Sequence, residues 1–138
     1  MAILWTDDLA TEIDTIDNQH KMLFEIVNEL LDSCKQGKGF EVVKKVVFFL
    51  DDYVKNHFST EERYMKMYSY PNFIPHKEQH ELFIKRAAEL KEQFLKEGPT
   101  LSFTMAISNS VVNWLSNHIR KVDAEMAKFL KSQRNFKE

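Results

Sequence analysis

Helix-breaking residues are scarce in this chain, and they are confined to three places. The 138 residues contain three glycines and three prolines. They fall as Gly37 with Gly39, Pro71 with Pro75, and Gly98 with Pro99. These breaks leave four segments with no glycine or proline inside them. Gly and Pro interrupt both helices and strands, so long stretches free of them point to regular elements joined by short connections. Apolar side chains then identify the type. His20, Leu23, Val27, Leu30, Leu31 and Cys34 share one helical face in the first segment. Val43, Val46, Val47, Leu50, Val54, His57, Glu61 and Met65 do so in the second. The third aligns His76, His80, Phe83, Ile84, Ala87, Leu90 and Phe94, and the fourth Phe103, Ile107, Val111, Trp114, Leu115, His118, Val122 and Met126. All follow the spacing of an amphipathic α-helix.

The predicted fold is all-α: an up-down-up-down four-helix bundle with an extended N-terminal arm. The expected layout is one domain over 1–138, with an arm over 1–17 and helices over about 18–36, 40–67, 75–97 and 101–130. Val42 to Leu50 is β-branched and aromatic, which suits a strand, but helical spacing continues for two further turns. Pro75 suits a first helical turn, and Thr100 or Ser102 a cap on the fourth helix. Met65, Met67 and Met126 are read as core fillers, and of the adjacent Phe48 and Phe49 at most one points squarely inward.

Composition excludes several classes. Hydrophobic residues are 43% and charged residues 29%, the balance of a folded globular chain rather than a disordered one. Net charge is −2, so nothing overall favours nucleic acid or an anionic membrane surface. No apolar run approaches the roughly 18 residues needed to span a bilayer, so membrane insertion is not expected. The start of the chain turns acidic at Asp7 and Asp8 without a basic stretch, which reads as a protein without a signal peptide and therefore cytoplasmic. The single Cys34 is expected to be a small buried hydrophobe rather than a reactive thiol.

The five histidines, His20, His57, His76, His80 and His118, all lie on or at the start of the core-facing stripes. One histidine on an apolar face is ordinarily a hydrogen-bonded core residue. Five converging in one small core are different, because each ring nitrogen needs a partner and a metal satisfies several at once. His76 and His80 stand at i, i+4, as do His57 and Glu61. His118 and Asp123 stand at i, i+5, which on a straight α-helix leaves them about 140° apart. Either Asp123 faces solvent or the helix carries a local π-type distortion there. Five imidazoles with up to two carboxylates exceed the four donors of one zinc and suit iron. No Glu lies three residues before any His, unlike the carboxylate-rich di-iron bundles.

Four pieces of the chain carry a resemblance: Asp17-Asn18-Gln19-His20-Lys21, His57-Phe58-Ser59-Thr60-Glu61-Glu62, His76-Lys77-Glu78-Gln79-His80, and Trp114 through His118 to Asp123, with Tyr70-Pro71 ahead of the third. In this order they resemble the hemerythrins, in particular the single-domain bacterial members, from about Trp5 to about Phe129. The resemblance implies an oxo- or hydroxo-bridged pair of iron ions inside the bundle. It implies that His76, His80 and His118 bind one iron, that His20 and His57 bind the other, and that Glu61 and Asp123 bridge both. It implies that O2 binds at the position left open on the second iron. Leu23, Phe58, Trp114, Leu115 and Ile119 lie beside the ligands in sequence or one turn away. They are candidates for the dry wall of an O2 pocket, a role that overlaps with plain core packing. Trp5 and the acidic arm are expected, on the same resemblance, to fold across the bundle.

The leading expectation is reversible O2 binding for storage or delivery, without enzymatic activity and with an O2-consuming acceptor protein as the unidentified recipient. An O2 or redox sensor, or a di-iron enzyme handling peroxide, NO or iron, would use the same centre. A metal-free bundle with hydrogen-bonded histidines is the remaining reading.

Overall fold

The structure is a computed structural model that describes residues 3–138; Met1 and Ala2 of the expected arm lie outside the described residues. Helix α1 is Asp14–Lys35, α2 is Phe40–Met67 and α3 is Phe73–Glu97. The fourth helix, α4, runs over 101–132 without a break in the chain's helical course. It comprises α-helical Leu101–Ile107, a π-helical turn at Ser108–Val112, α-helical Asn113–Asn117, a second π-helical turn at His118–Asp123, and α-helical Ala124–Ser132. Each helix packs against the next, and α1 also packs against α4, which closes the four into an up-down-up-down bundle. Among the described residues there is no strand, and Val42 to Leu50 is helical. No helix among them is long and apolar enough to cross a membrane.

The ends of the helices follow from local chemistry. After α1 the chain turns through Gly37 at φ +69°, with Lys38 N–H donating to the Ser33 carbonyl and Gly37 N–H to that of Cys34. This is a Schellman ending, whose left-handed residue favours glycine. Helix α2 ends the same way, with Ser69 at φ +55° and Tyr70 N–H donating to the Met65 carbonyl. That turn tucks Tyr70 into the core before Pro71 stops the chain from continuing as helix. Helix α3 begins at Phe73, not at Pro75, so the proline occupies its third position. There its missing N–H is one the first turn leaves unpaired in any case. Thr100, not Ser102, caps α4, its hydroxyl accepting from Phe103 N–H at 3.1 Å.

Helix α1 begins at Asp14 rather than near residue 18. The arm ahead of it is held by Asp17, whose carboxylate accepts from Thr11 N–H at 2.8 Å, Thr11 Oγ1 at 2.7 Å and Glu12 N–H at 3.1 Å. Glu12 takes a left-handed backbone at φ +65° inside this turn. Further out, Trp5 stands edge-on to Phe24 with ring centres 5.8 Å apart, Ile3 and Leu9 are buried, and Asp8 pairs with Arg120 on α4. The arm thus crosses the bundle and ties α1 to α4.

Apolar packing forms two separate clusters. The larger contains Leu23, Val27, Val54, Phe58, Phe83, Leu115 and Ile119. The smaller contains Ile13, Ile16, Tyr64, Met65, Tyr70, Met126, Ala127 and Leu130. A layer of polar side chains lies between them. Met65 and Met126 fill the core as expected, but Met67 is 62% exposed, because two helical steps of about 100° from the inward Met65 turn it to the outer face of α2. Phe49 is the outward member of its pair, 53% exposed. Cys34 is only half-buried.

Candidate metal centre

The polar layer consists of His20 from α1, His57 and Glu61 from α2, His76 and His80 from α3, and His118 and Asp123 from α4. All seven are buried, and His20, Glu61, His80 and Asp123 have no exposed surface at all. Each is flanked on its own helix by members of the two apolar clusters. Ile16 and Leu23 flank His20, Phe58 and Met65 flank Glu61, and Ile119 and Met126 flank Asp123. The apolar stripe that builds each helix therefore also delivers its polar residues to one depth in the bundle.

Asp123 reaches this layer because the turn from His118 to Asp123 is π-helical. A turn closed by i→i+5 bonds takes one more residue than an α-turn, which brings i and i+5 onto the same face. Of the two alternatives the spacing allowed, the distortion is the one observed, and Asp123 does not face solvent.

The two carboxylates divide their oxygens. Glu61 Oε1 lies 3.1 Å from His80 Nε2 and 3.5 Å from His76 Nε2. Asp123 Oδ1 lies 3.1 Å from His76 Nε2 and 3.0 Å from His118 Nε2. The other oxygens face the other way: Glu61 Oε2 is 3.1 Å from His57 Nε2 and 3.3 Å from His20 Nε2, and Asp123 Oδ2 is 3.1 Å from His20 Nε2. Two overlapping donor sets result, each with its donor atoms within 4.8 Å of one another. One is Glu61, His76, His80, His118 and Asp123; the other is His20, His57, Glu61 and Asp123.

Close approach here is not hydrogen bonding. The Nε2 atoms of His20, His76, His80 and His118, and all four carboxylate oxygens, are buried without a hydrogen-bond partner. Orphaned buried polar atoms are costly, and such a concentration of them is not compatible with a purely structural core. Imidazole nitrogens and carboxylate oxygens aimed at common points are what a cation requires, so the residues present fit a metal centre.

The electrostatics are those of tightly opposed charges. Burial alone would lower the pKa of His20 and of His76, but Asp123 and Glu61 outweigh it and push both up to about 9. Burial would likewise raise Glu61, yet the surrounding imidazoles, His57 first among them, hold it well below the usual carboxylate range. Asp123 is held low against both burial and the Glu61 charge, chiefly by His118. The layer thus sets imidazoles and carboxylates against one another as opposed charges.

Ring orientation is set from outside the layer. His57 Nδ1 meets Gln19 Oε1 at 2.6 Å, His118 Nδ1 meets Gln79 Oε1 at 3.0 Å, and His80 Nδ1 meets Glu62 Oε2 at 2.8 Å. An acceptor at Nδ1 places the ring proton there and turns the Nε2 lone pair inward. No spacing in the sequence marks Gln19, Glu62 and Gln79 as partners, although each is adjacent to a candidate ligand. The available signal was that every ligand imidazole needs an acceptor for its other nitrogen.

Leu23, Phe58, Leu115 and Ile119 are buried beside the centre in the larger cluster. Phe58 stacks on His80 with ring centres 3.9 Å apart and planes 5° off parallel. Trp114 is only half-buried and stacks on His118 at 4.3 Å. Both large rings therefore press on histidines of the three-imidazole side, and Phe58 alone also reaches His57, at 6.0 Å.

A helical bundle enclosing a buried histidine–carboxylate centre defines a class of metal-binding protein, and known proteins place the chain within it. The family described as the hemerythrin HHE cation binding domain matches residues 11–130. The chain is 39% identical to a bacteriohemerythrin of Pseudomonas aeruginosa over 88% of its own length and 77% of the relative's. It is 34% identical to the bacteriohemerythrin of Methylococcus capsulatus, over 89% and 93%. A solved wild-type hemerythrin superposes with a TM-score of 0.81 at 31% identity, covering 93% of this chain and 97% of that one. The chain belongs to the hemerythrin family.

Proposed function

We propose that this protein binds O2 reversibly at two iron ions held in the polar layer, and that it stores or delivers oxygen. The observation that carries the proposal is the unequal division of imidazoles across two shared carboxylates. His76, His80 and His118 with one oxygen each of Glu61 and Asp123 make five donors for one ion; His20 and His57 with the opposite oxygens make four for the other. The likeness to proteins named bacteriohemerythrin supports it.

A bound iron pair supplies two one-electron equivalents and, at the ion with fewer protein donors, room for an outside ligand. The protein's residues supply the rest. Glu61 and Asp123, which belong to both donor sets, would hold both ions. Gln19, Gln79 and Glu62 keep His57, His118 and His80 turned inward. Leu23, Phe58, Leu115 and Ile119 close the layer against water, which would otherwise bring protons to a bound ligand and promote irreversible oxidation.

The test is a visible spectrum of iron-loaded protein, reduced without air, then exposed to O2, then freed of O2. The expected result is two irons per chain and a band that appears with O2 and disappears on its removal. A permanent ferric spectrum after one exposure would overturn the carrier role and favour sensing or turnover. Failure to hold two irons would overturn the centre itself.

A further inference from the structure

We infer that Glu62 is a positioning residue whose negative charge, delivered through His80, makes the three-histidine metal position the more strongly electron-donating of the two. The inference rests on the proposed iron pair and deepens it.

Three ligand imidazoles have acceptors at Nδ1, and the acceptors are not alike. His57 and His118 face the neutral amide oxygens of Gln19 and Gln79. His80 faces a carboxylate oxygen, Glu62 Oε2, at 2.8 Å. Both kinds fix the same tautomer. Only the carboxylate adds charge, and an imidazole donating to a carboxylate is the more basic through its other nitrogen. That other nitrogen, His80 Nε2, points into the five-donor set. On the four-donor side, His57 has an amide partner, and His20 Nδ1 is buried without any. The charged acceptor therefore serves one side only.

The placement is built rather than incidental. Glu62 follows Glu61, and one helical step of about 100° turns it from the layer towards α3. Its side chain is 22% exposed while that of His80 is fully buried, so it carries a charge from the surface to an enclosed ligand. The far side of Glu62 borders a shallow surface depression with Ser59, Arg63, Lys66 and Met67. Phe58 stacked on the ring prevents His80 from rotating away. Negative charge in this position favours the more highly charged, oxidised ion in the three-histidine position.

The decisive variants are Glu62→Gln, which keeps an acceptor and removes the charge, and Gln79→Glu, which adds a charge to the same set through His118. Iron-loaded proteins are titrated in redox buffers, and Fe(II) affinity is measured by competition with a colorimetric chelator. In Glu62→Gln, the ratio of reduced to oxidised centre at a fixed buffer potential is expected to rise about tenfold, the scale of such outer-shell changes. Gln79→Glu is expected to move it the opposite way. Glu62→Ala is expected to weaken Fe(II) retention beyond Glu62→Gln. If the parent holds two irons and Glu62→Gln matches it in both measurements, the charge has no such role and this inference alone falls. If the parent does not hold two irons, the proposed function falls with it.

Discussion

On the proposed function, His57 is the side chain expected to separate ligand binding from metal retention. It belongs only to the four-donor set, with Nε2 3.1 Å from Glu61 Oε2 and Nδ1 fixed by Gln19. His57→Ala leaves the five-donor set untouched and the other with one imidazole, His20, and two carboxylate oxygens. The expected outcome is loss of the O2-dependent band, with iron content falling towards one per chain. The substitution also leaves Gln19 Oε1 without its partner and opens a gap beside His20, whose ring centre is 4.6 Å away. A stability loss of about 1–3 kcal/mol in the metal-free protein is expected from the unpaired groups. Iron analysis and a denaturant melt check the two effects separately. A variant that still bound O2 reversibly would refute the assignment of His57 to the ligand-binding ion.

At the scale of elements, the second π-helical turn determines whether Asp123 reaches the centre. That turn holds one residue more than an α-turn would, and Lys121 within it is exposed. Deleting Lys121 converts the i, i+5 pair to i, i+4, the spacing that already serves His57 with Glu61 on a plain α-turn. The deletion also leaves Met126, Ala127 and Leu130 on their original face. The expected result is retained iron content. Inserting an alanine after Lys121 rotates Asp123 by about 100° and is expected to remove one shared carboxylate, with a marked loss of iron. Metal analysis of both proteins decides it. The same element shows how far the sequence could be read. The four helices were legible because the glycines and prolines sit only between them. The candidate ligands were legible because five imidazoles on apolar faces need partners that an apolar core does not offer. Asp123 was ambiguous because a single i, i+5 spacing is equally compatible with an exposed side chain. Gln19, Glu62 and Gln79 were not legible as partners, because each reaches across to a neighbouring helix. Their targets depend on how the helices are rotated in the bundle, which no one helix's own periodicity specifies. The start of α1 does not show in the pattern because Ile13 and Ile16 pack into the smaller cluster over too short a stretch to show a period.

For the whole molecule, the polar layer couples folding to pH in opposite ways with and without metal. In the metal-free protein, His20 and His76 are pushed up to about 9 from 6.5. Each binds its proton more tightly folded than unfolded, so its stabilisation is full below 6.5 and is lost as pH rises through about 9. Glu61 and Asp123 are held below their ordinary values of 4.5 and 3.8, so they stabilise above those values and lose this as pH falls. The metal-free protein is therefore expected to be most stable between about pH 4.5 and 6.5 and to weaken steadily towards pH 9. Metal binding requires the same imidazoles deprotonated, so loading releases protons and is favoured by rising pH over that interval. Because an ion that binds only the folded chain adds stability that grows with the logarithm of its affinity, the loaded protein should gain where the metal-free one loses. Thermal melts of both forms at pH 6 and pH 9 measure this directly. The difference in melting temperature between loaded and metal-free protein is expected to widen from pH 6 to pH 9. A constant difference would mean that the histidine layer does not exchange protons for metal, and that the shared carboxylates alone retain the ions.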